Sequence, residues 1–135
     1  MKRFLLDTNV ISEAGRSRGS AKVKTWLLQH EAASAIPSIV IAERARGAFL
    51  NRERREALLA QLSADLAEAG DSIVPFDTAA ALAWGEYTAR PEIQAANPGT
   101  RDTLIAAIAL SRDLVVATRN SAHFPGVESV NPFGD

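Results

Sequence analysis

The sequence predicts an α/β fold with a short, mainly parallel sheet, and two observations support this prediction. Short apolar runs rich in β-branched residues alternate with longer segments whose apolar residues recur every three or four positions, a pattern typical of strands connected by helices. The 135 residues, 47% of them hydrophobic, are enough for one core. With no internal repeat or linker in between, we expect a single domain spanning residues 1–135.

Composition narrows the function further. The absence of cysteine excludes disulfides and thiolate zinc sites and makes the cytoplasm the expected location. No apolar run is long enough to span a bilayer, and Asp7 interrupts the only stretch that resembles a signal peptide. The net charge of −1 gives no global sign of a nucleic-acid binder, so any basic surface would have to be local.

Five strands and five helices are predicted in alternation. The strands are expected at residues 4–6, 33–37, 72–76, 114–118 and 127–130, the last at a sheet edge. The helices are expected at residues 20–30, 38–47, 51–69, 77–87 and 100–110. Ser20, Ser38 and either Asp77 or Thr78 are the residues expected to cap three of these helices. Residues 8–20 are predicted as a turn and a basic loop, and Pro91 and Pro98 as chain breaks.

Asp7 stands where the first strand ends, and in open α/β sheets ligands bind beyond the carboxyl ends of the strands. Taken alone, it is better explained as the cap of the following turn, because Asp and Thr are favoured there. Three further polar residues change this balance. They are Glu43, Asp102 and Asn120.

Glu43 shares one helix face with Ile39, Ala42 and Arg46 and so interrupts an apolar stripe. Because an unpaired buried carboxylate is costly, Glu43 is expected to face a polar cavity or, equally well, to pair with Arg46 or be exposed to solvent on the Gly47 side. Asp102 opens the most apolar helix, where the helix dipole also favours a carboxylate.

Asn120 follows the strand at residues 114–118, which brings it to the same sheet edge as the three acids. Clustered carboxylates repel one another unless a cation lies among them, and oxygen ligands select Mg²⁺ or Mn²⁺. Such an ion suits phosphoryl transfer, and no Walker loop or glycine fingerprint indicates a nucleotide cradle. Hydrolysis of phosphodiester bonds is the favoured chemistry.

Several motifs recur here in a characteristic order. They are Leu6-Asp7-Thr8-Asn9-Val10-Ile11-Ser12, a helix with Glu43, Asp102 before Leu104-Ile105-Ala106-Ala107, Thr118-Arg119-Asn120 with His123-Phe124, and Val130-Asn131-Pro132-Phe133. The ordered set closely resembles the PIN-domain ribonucleases of the VapC/FitB kind, toxins of type II toxin–antitoxin pairs. The resemblance implies a three-layer sandwich of helices around the sheet and an endoribonuclease that cleaves RNA with Mg²⁺- or Mn²⁺-activated water.

The resemblance also implies roles for individual residues. Asp7, Glu43 and Asp102 are expected to bind the metal, Asn120 to complete the catalytic set, and Thr8, Asn9 and Thr118 to support it. Many relatives carry a further Asp where this chain has Asn120 and His123, so a second metal is not expected.

Partners follow from the same resemblance: an RNA substrate, a second copy of the chain and an antitoxin whose tail enters the acidic groove. Because phosphate contacts provide most nucleic-acid affinity, basic residues near the acids are candidates for RNA or antitoxin contacts. They are Arg16, Arg18, Arg44, Arg46, Arg101 and Arg119. Arg46 and Arg119 are equally suited to be internal counterions. Two other functions stay open: a PIN-type nuclease for RNA maturation or DNA without an antitoxin, and an inert binding module of the same fold.

Overall fold

The computed structural model describes all 135 residues. Its strands are β1 (Phe4–Leu6), β2 (Ser34–Pro37), β3 (Ile73–Val74), β4 (Val115–Ala117) and β5 (Ser129–Val130). Its α-helices are α1 (Thr8–Ala14), α2 (Ala21–His30), α3 (Ser38–Leu50), α4 (Arg55–Ala69), α5 (Thr78–Ala89), α6 (Pro91–Ala96) and α7 (Thr100–Arg112). None of these helices combines the length and the apolar character needed to cross a membrane.

The five strands form one sheet in the order β3-β2-β1-β4-β5, and every neighbouring pair is parallel. The predicted α/β class and parallel sheet are therefore confirmed. The chain moves from β1 outward through β2 and β3, and then returns to β4 and β5 on the other side of β1. The strand order thus reverses beside β1, and at such a switch point α/β proteins open a crevice at the carboxyl ends of the strands.

Apolar side chains cover both faces of the sheet. Leu5 packs on one face with buried residues of α5, α6 and α7, among them Tyr87 and Ile108. Leu6 points to the opposite face and packs with Val10 of α1 and Val23 of α2. Because successive side chains of a strand point to opposite faces, this short apolar run joins two helical layers through one sheet, and the three-layer sandwich is confirmed.

The helix α1 was not predicted, because residues 8–14 were expected to form only a turn. Asp7 is extended and accepts a hydrogen bond from the Thr8 backbone N–H, which caps the helix. Val10 is completely buried against Leu6 and Val23. Packing therefore stabilises a helix of two turns that is too short to show a clear apolar period.

The predicted cap of α3 was wrong. Pro37 occupies the N-cap position without a side-chain hydrogen bond, and the Ser38 hydroxyl accepts a hydrogen bond from the Phe76 backbone N–H, beyond β3. This partner lies 38 positions further along the chain, beyond the reach of any local pattern. The Ser20 and Asp77 caps are confirmed, since each side chain accepts a backbone N–H of its own helix.

Helix bounds differ at three further places. The helix α3 continues through Gly47 to Leu50, and α4 begins at Arg55 rather than at residue 51. The predicted break at Pro91 is confirmed, since α5 ends at Ala89, but Pro91 is also the first residue of α6, a helix that was not predicted. Proline favours this position because its fixed φ fits a helix and its missing N–H leaves no donor unpaired there.

Candidate active site at the carboxyl edge of the sheet

Asp7 lies at the switch point between the two central strands. It follows β1 directly, and its side chain is only 4% exposed. Its Oδ1 accepts the Thr8 backbone N–H at 2.8 Å, and its Oδ2 accepts the hydroxyl of Thr118, the residue that follows β4, at 2.8 Å. Asp7 therefore does cap α1, and the same carboxylate also bonds to the segment that follows the neighbouring strand β4.

Two asparagines complete this part of the cluster. The Asn9 amide group donates to Asp7 Oδ2 at 3.3 Å and to Thr118 Oγ1 at 3.4 Å, while its oxygen accepts the Arg119 backbone N–H. The Asn120 backbone N–H donates to Thr118 Oγ1 at 3.0 Å, and the residue lines the cavity above the strands. These bonds join the segment after β4 to the start of α1, so the orientation of Asp7 is determined from both strands.

Glu43 reaches the same cavity from α3. Its Oε1 accepts a hydrogen bond from the Thr8 hydroxyl at 2.9 Å, across 35 positions of the sequence. The side chain makes no ion pair with Arg46, which lies outside the cavity lining. Glu43 therefore borders the polar cavity and is also open to solvent, with 39% of its side chain exposed, so the expected alternative of solvent exposure holds and the salt bridge to Arg46 does not.

Asp102 approaches from the first turn of α7. Gly99 is the N-cap of this helix, and the Asp102 carboxylate accepts its hydrogen bond from the Arg101 side chain rather than from a backbone N–H of the helix. Its Oδ2 lies 3.5 Å from Nδ1 of His123, in the turn after β4. The residue is mostly buried, with 16% of its side chain exposed.

Arg101 links the three carboxylates. Its Nη2 lies 2.6 Å from Asp7 Oδ1, its Nε 2.7 Å from Glu43 Oε2 and its Nη1 2.7 Å from Asp102 Oδ1. Burial disfavours the charged guanidinium, but the hydrogen bonds and charges of Glu43 and Asp7 outweigh this effect and raise the pKa of Arg101 above its ordinary value. The cation expected among clustered carboxylates is thus supplied by the chain itself.

The cavity around this cluster has a volume of about 600 Å³ and is almost entirely polar, since Phe133 is the one hydrophobic residue in its lining. Four carboxylates and three guanidinium groups line it: Asp7, Glu13, Glu43, Asp102, Arg16, Arg101 and Arg119. A larger groove of about 720 Å³ lies elsewhere, against α1, α2 and α4, and is lined by apolar side chains such as Leu27 and Leu28. The clustered acids all line the smaller cavity, and the larger one contains none of them.

The predicted basic residues have different surroundings. Arg16 lines the cavity beside Glu13, at 3.7 Å, and Arg119 lines it while pairing with Asp135. Arg44 instead pairs with Asp65 at 2.9 Å, beside the apolar groove. The internal counterion is therefore Arg101, not Arg46 or Arg119.

Glu13 was missed by sequence reasoning. It lines the cavity and accepts the Ser20 backbone N–H at 2.8 Å. It lies one helical turn after Asn9, so recognition of α1 as a helix would have placed both residues on the same face.

The donor set of the cavity suits a hard divalent cation. The three carboxylates and the Asn120 side chain can ligate a metal only through oxygen atoms. Oxygen ligands of this kind favour Mg²⁺ or Mn²⁺. With Arg101 among them, however, no three acidic or histidine side chains are placed so that they could hold one ion together. The residues fit a metal in type, and the guanidinium occupies the space between them.

The comparison with known families agrees with this fold. The family model described as PIN domain matches residues 4–128 of the chain. The protein therefore belongs to the PIN domain family, as the ordered motifs predicted.

Individual relatives match nearly the whole chain. Plasmid stability protein StbB of Pseudomonas syringae pv. tomato is 33% identical, over 96% of this chain and 98% of that protein. VapC ribonuclease Y4jK of Sinorhizobium fredii is 29% identical, over 96% and 97%, respectively. The crystal structure of FitAcB from Neisseria gonorrhoeae superimposes with a TM-score of 0.84 at 30% identity, over 96% of this chain and 98% of that chain.

Proposed function

We propose that this protein is a cytoplasmic endoribonuclease that uses Mg²⁺ or Mn²⁺ and acts as the toxin of a toxin–antitoxin pair. The observation that carries the proposal is the convergence of Asp7, Glu43 and Asp102 on one cationic group at the switch point of the sheet. These carboxylates come from three separate elements, and structural capping accounts for only one of their six oxygens. Membership of the PIN domain family and similarity to a protein named VapC ribonuclease support the same reaction.

Asp7, Glu43 and Asp102 are the residues that would hold the metal, with the Asn120 amide oxygen beside them. A bound divalent ion supplies charge to neutralise a phosphate and lowers the pKa of a water molecule. Thr118 and Asn9 orient the Asp7 carboxylate through their hydrogen bonds.

Arg16 and Arg119 lie at the cavity wall, where guanidinium groups can bind the phosphates on either side of the cleaved bond.

The proposal includes an antitoxin, and we infer that it binds the apolar groove against α1, α2 and α4. Leu28, 78% exposed, lies in this groove together with Leu27 and Ile11, so the groove offers a contiguous apolar surface of the kind that partners cover. Lys24, Arg44, Glu31 and Glu68 stand around the apolar centre, the arrangement of a protein interface with a polar rim. Similarity to a protein named toxin FitB, 31% identical over 98% of this chain, supports a partner of this kind.

Cleavage assays with purified protein test the proposed activity. We expect single-stranded RNA to be cut in the presence of Mg²⁺ or Mn²⁺, and EDTA to abolish the reaction. Asp7→Asn should lower the rate by about a hundredfold or more, a loss typical of removing a charge-stabilising group from an active site. Its amide oxygen can still accept the Thr8 N–H, so circular dichroism should show an intact fold.

The matched control is Asp71→Asn, which makes the same change at an exposed residue outside the cavity. Full activity of Asp7→Asn, or equal losses in the two variants, would contradict the role of Asp7. Cleavage of DNA but not RNA would contradict the substrate.

A further inference from the structure

The position of Arg101 has a consequence for metal binding. Its guanidinium uses four of its five N–H donors within the cluster, one each to Glu43, Asp102, Asp7 and the Thr8 hydroxyl. We propose that Arg101 is an internal competitor of the metal, which occupies the cation position among Asp7, Glu43 and Asp102 and must leave before a divalent ion can bind. This inference rests on the proposed function, since it concerns the metal of that site.

The hydrogen bonds of Asp7 provide the first argument. An ionised carboxylate has about four lone-pair positions, and Asp7 accepts four hydrogen bonds, from the Thr8 N–H and Arg101 on Oδ1 and from Thr118 and Asn9 on Oδ2. No lone pair is therefore free for a metal. One of the four donors has to move before Asp7 can become a ligand.

Arg101 is the donor that can move. The Thr8 N–H belongs to the backbone of α1, and Thr118 is completely buried at the end of β4. Asn9 is held in place by its oxygen, which accepts the Arg119 N–H. The Arg101 side chain is 33% exposed at the open cavity, so it can turn toward solvent by side-chain rotation alone, without unfolding α7.

Charge provides the second argument. The other guanidinium groups of the cavity have carboxylate partners of their own, Arg16 with Glu13 and Arg119 with Asp135. Arg101 is therefore the one permanently charged cation in contact with the three clustered acids, and it reduces their mutual repulsion. A metal ion would replace it in that role, so the two cations exclude each other at the same carboxylates.

Competition of this kind raises the apparent Kd for the metal, which equals the intrinsic Kd divided by the fraction of molecules in which Arg101 has left the site. If the bonded arrangement is populated about nine times as often as the open one, the apparent Kd for a metal is raised about tenfold. We therefore expect Arg101→Gln to bind Mn²⁺ about tenfold or more tightly than the unmodified protein in a calorimetric titration. Arg101→Lys should give an intermediate value, since a lysine keeps the charge but cannot bridge three carboxylates.

Arg119→Gln is the matched control, because it removes the same charge from the same cavity wall without touching the three acids. Equal tightening by Arg101→Gln and Arg119→Gln would overturn the proposal, since the effect would then come from the general field of the cavity. Unchanged affinity in Arg101→Gln would also overturn it.

A second measurement needs no variant that could fail to fold. In nuclear magnetic resonance spectra of the unmodified protein, the Thr8 amide reports on Asp7 and the Arg101 Nε–H reports on the guanidinium. Titration with Mg²⁺ should shift the Thr8 signal and, over the same concentrations, cause the Arg101 Nε–H to exchange faster with water.

A Thr8 shift with an unchanged Arg101 signal would overturn the competition and leave the proposed function intact. Absence of both changes, together with absence of Mn²⁺ binding in calorimetry, would overturn the proposed metal dependence and the competition together.

Discussion

Thr118 offers a quantitative test of how the sheet positions Asp7. Its side chain is completely buried, and its hydroxyl donates to Asp7 Oδ2 at 2.8 Å while accepting the Asn120 backbone N–H at 3.0 Å. Thr118→Val retains the size and β-branched shape of the side chain but removes these two hydrogen bonds and the longer one, at 3.4 Å, that the hydroxyl accepts from the Asn9 amide. We expect the free energy of unfolding to fall by about 2 kcal/mol, within the range for a hydrogen bond to a charged group whose partner is left buried.

Urea denaturation followed by tryptophan fluorescence measures this change, and a lower midpoint at constant slope identifies it as a loss of stability. Thr118→Ser restores the hydroxyl and should recover most of the loss. The double variant with Asp7→Asn should lose less than the sum of the two single variants, because the residues share one hydrogen bond. A loss below about 0.5 kcal/mol in Thr118→Val, the range of ordinary surface substitutions, would refute the argument that this hydroxyl holds the carboxylate.

Two further predictions concern Tyr87, which is buried in the core between the sheet and α5, α6 and α7, and the apolar groove. Burial raises the pKa of Tyr87, the single tyrosine, with a smaller opposing effect of Arg90, so the unfolded chain loses this proton first and stability should fall as the pH rises above about 10. Urea midpoints should show this fall in stability in the unmodified protein but not in Tyr87→Phe. Absorbance at 295 nm, which follows ionisation of the phenol, should show Tyr87 still protonated at about pH 10 in the folded protein, and ionisation near pH 10 would contradict the prediction. Leu28→Asp should weaken antitoxin binding in calorimetry by about tenfold or more while RNA cleavage persists, as expected for a central interface residue. Leu82→Asp, at a leucine exposed to a similar degree outside the groove, should leave binding unchanged, and equal effects of the two substitutions would argue against the groove.

Much of the fold was predictable because its signals are local. Strands such as Phe4–Leu6 appear as short apolar runs, and α7 appears as a long apolar segment, so their alternation indicates a parallel sheet without any knowledge of contacts. The Ser20 and Asp77 caps involve residues three positions apart and were equally accessible. The helix α1 was missed because its stability depends on Val10 packing against two other elements.

The sequence by itself determined which acids meet. Asp7 follows a strand, Glu43 interrupts an apolar face and Asp102 begins a buried helix, and the geometry of a parallel sheet brings all three to one edge. Only the tertiary structure decided how their charges are balanced. Arg101 directly precedes Asp102 in the sequence, but its bonds to Asp7 and Glu43 span 94 and 58 positions, which no local pattern could indicate. Pairing between charged groups depends on distance and burial in three dimensions, and these are properties of the folded chain.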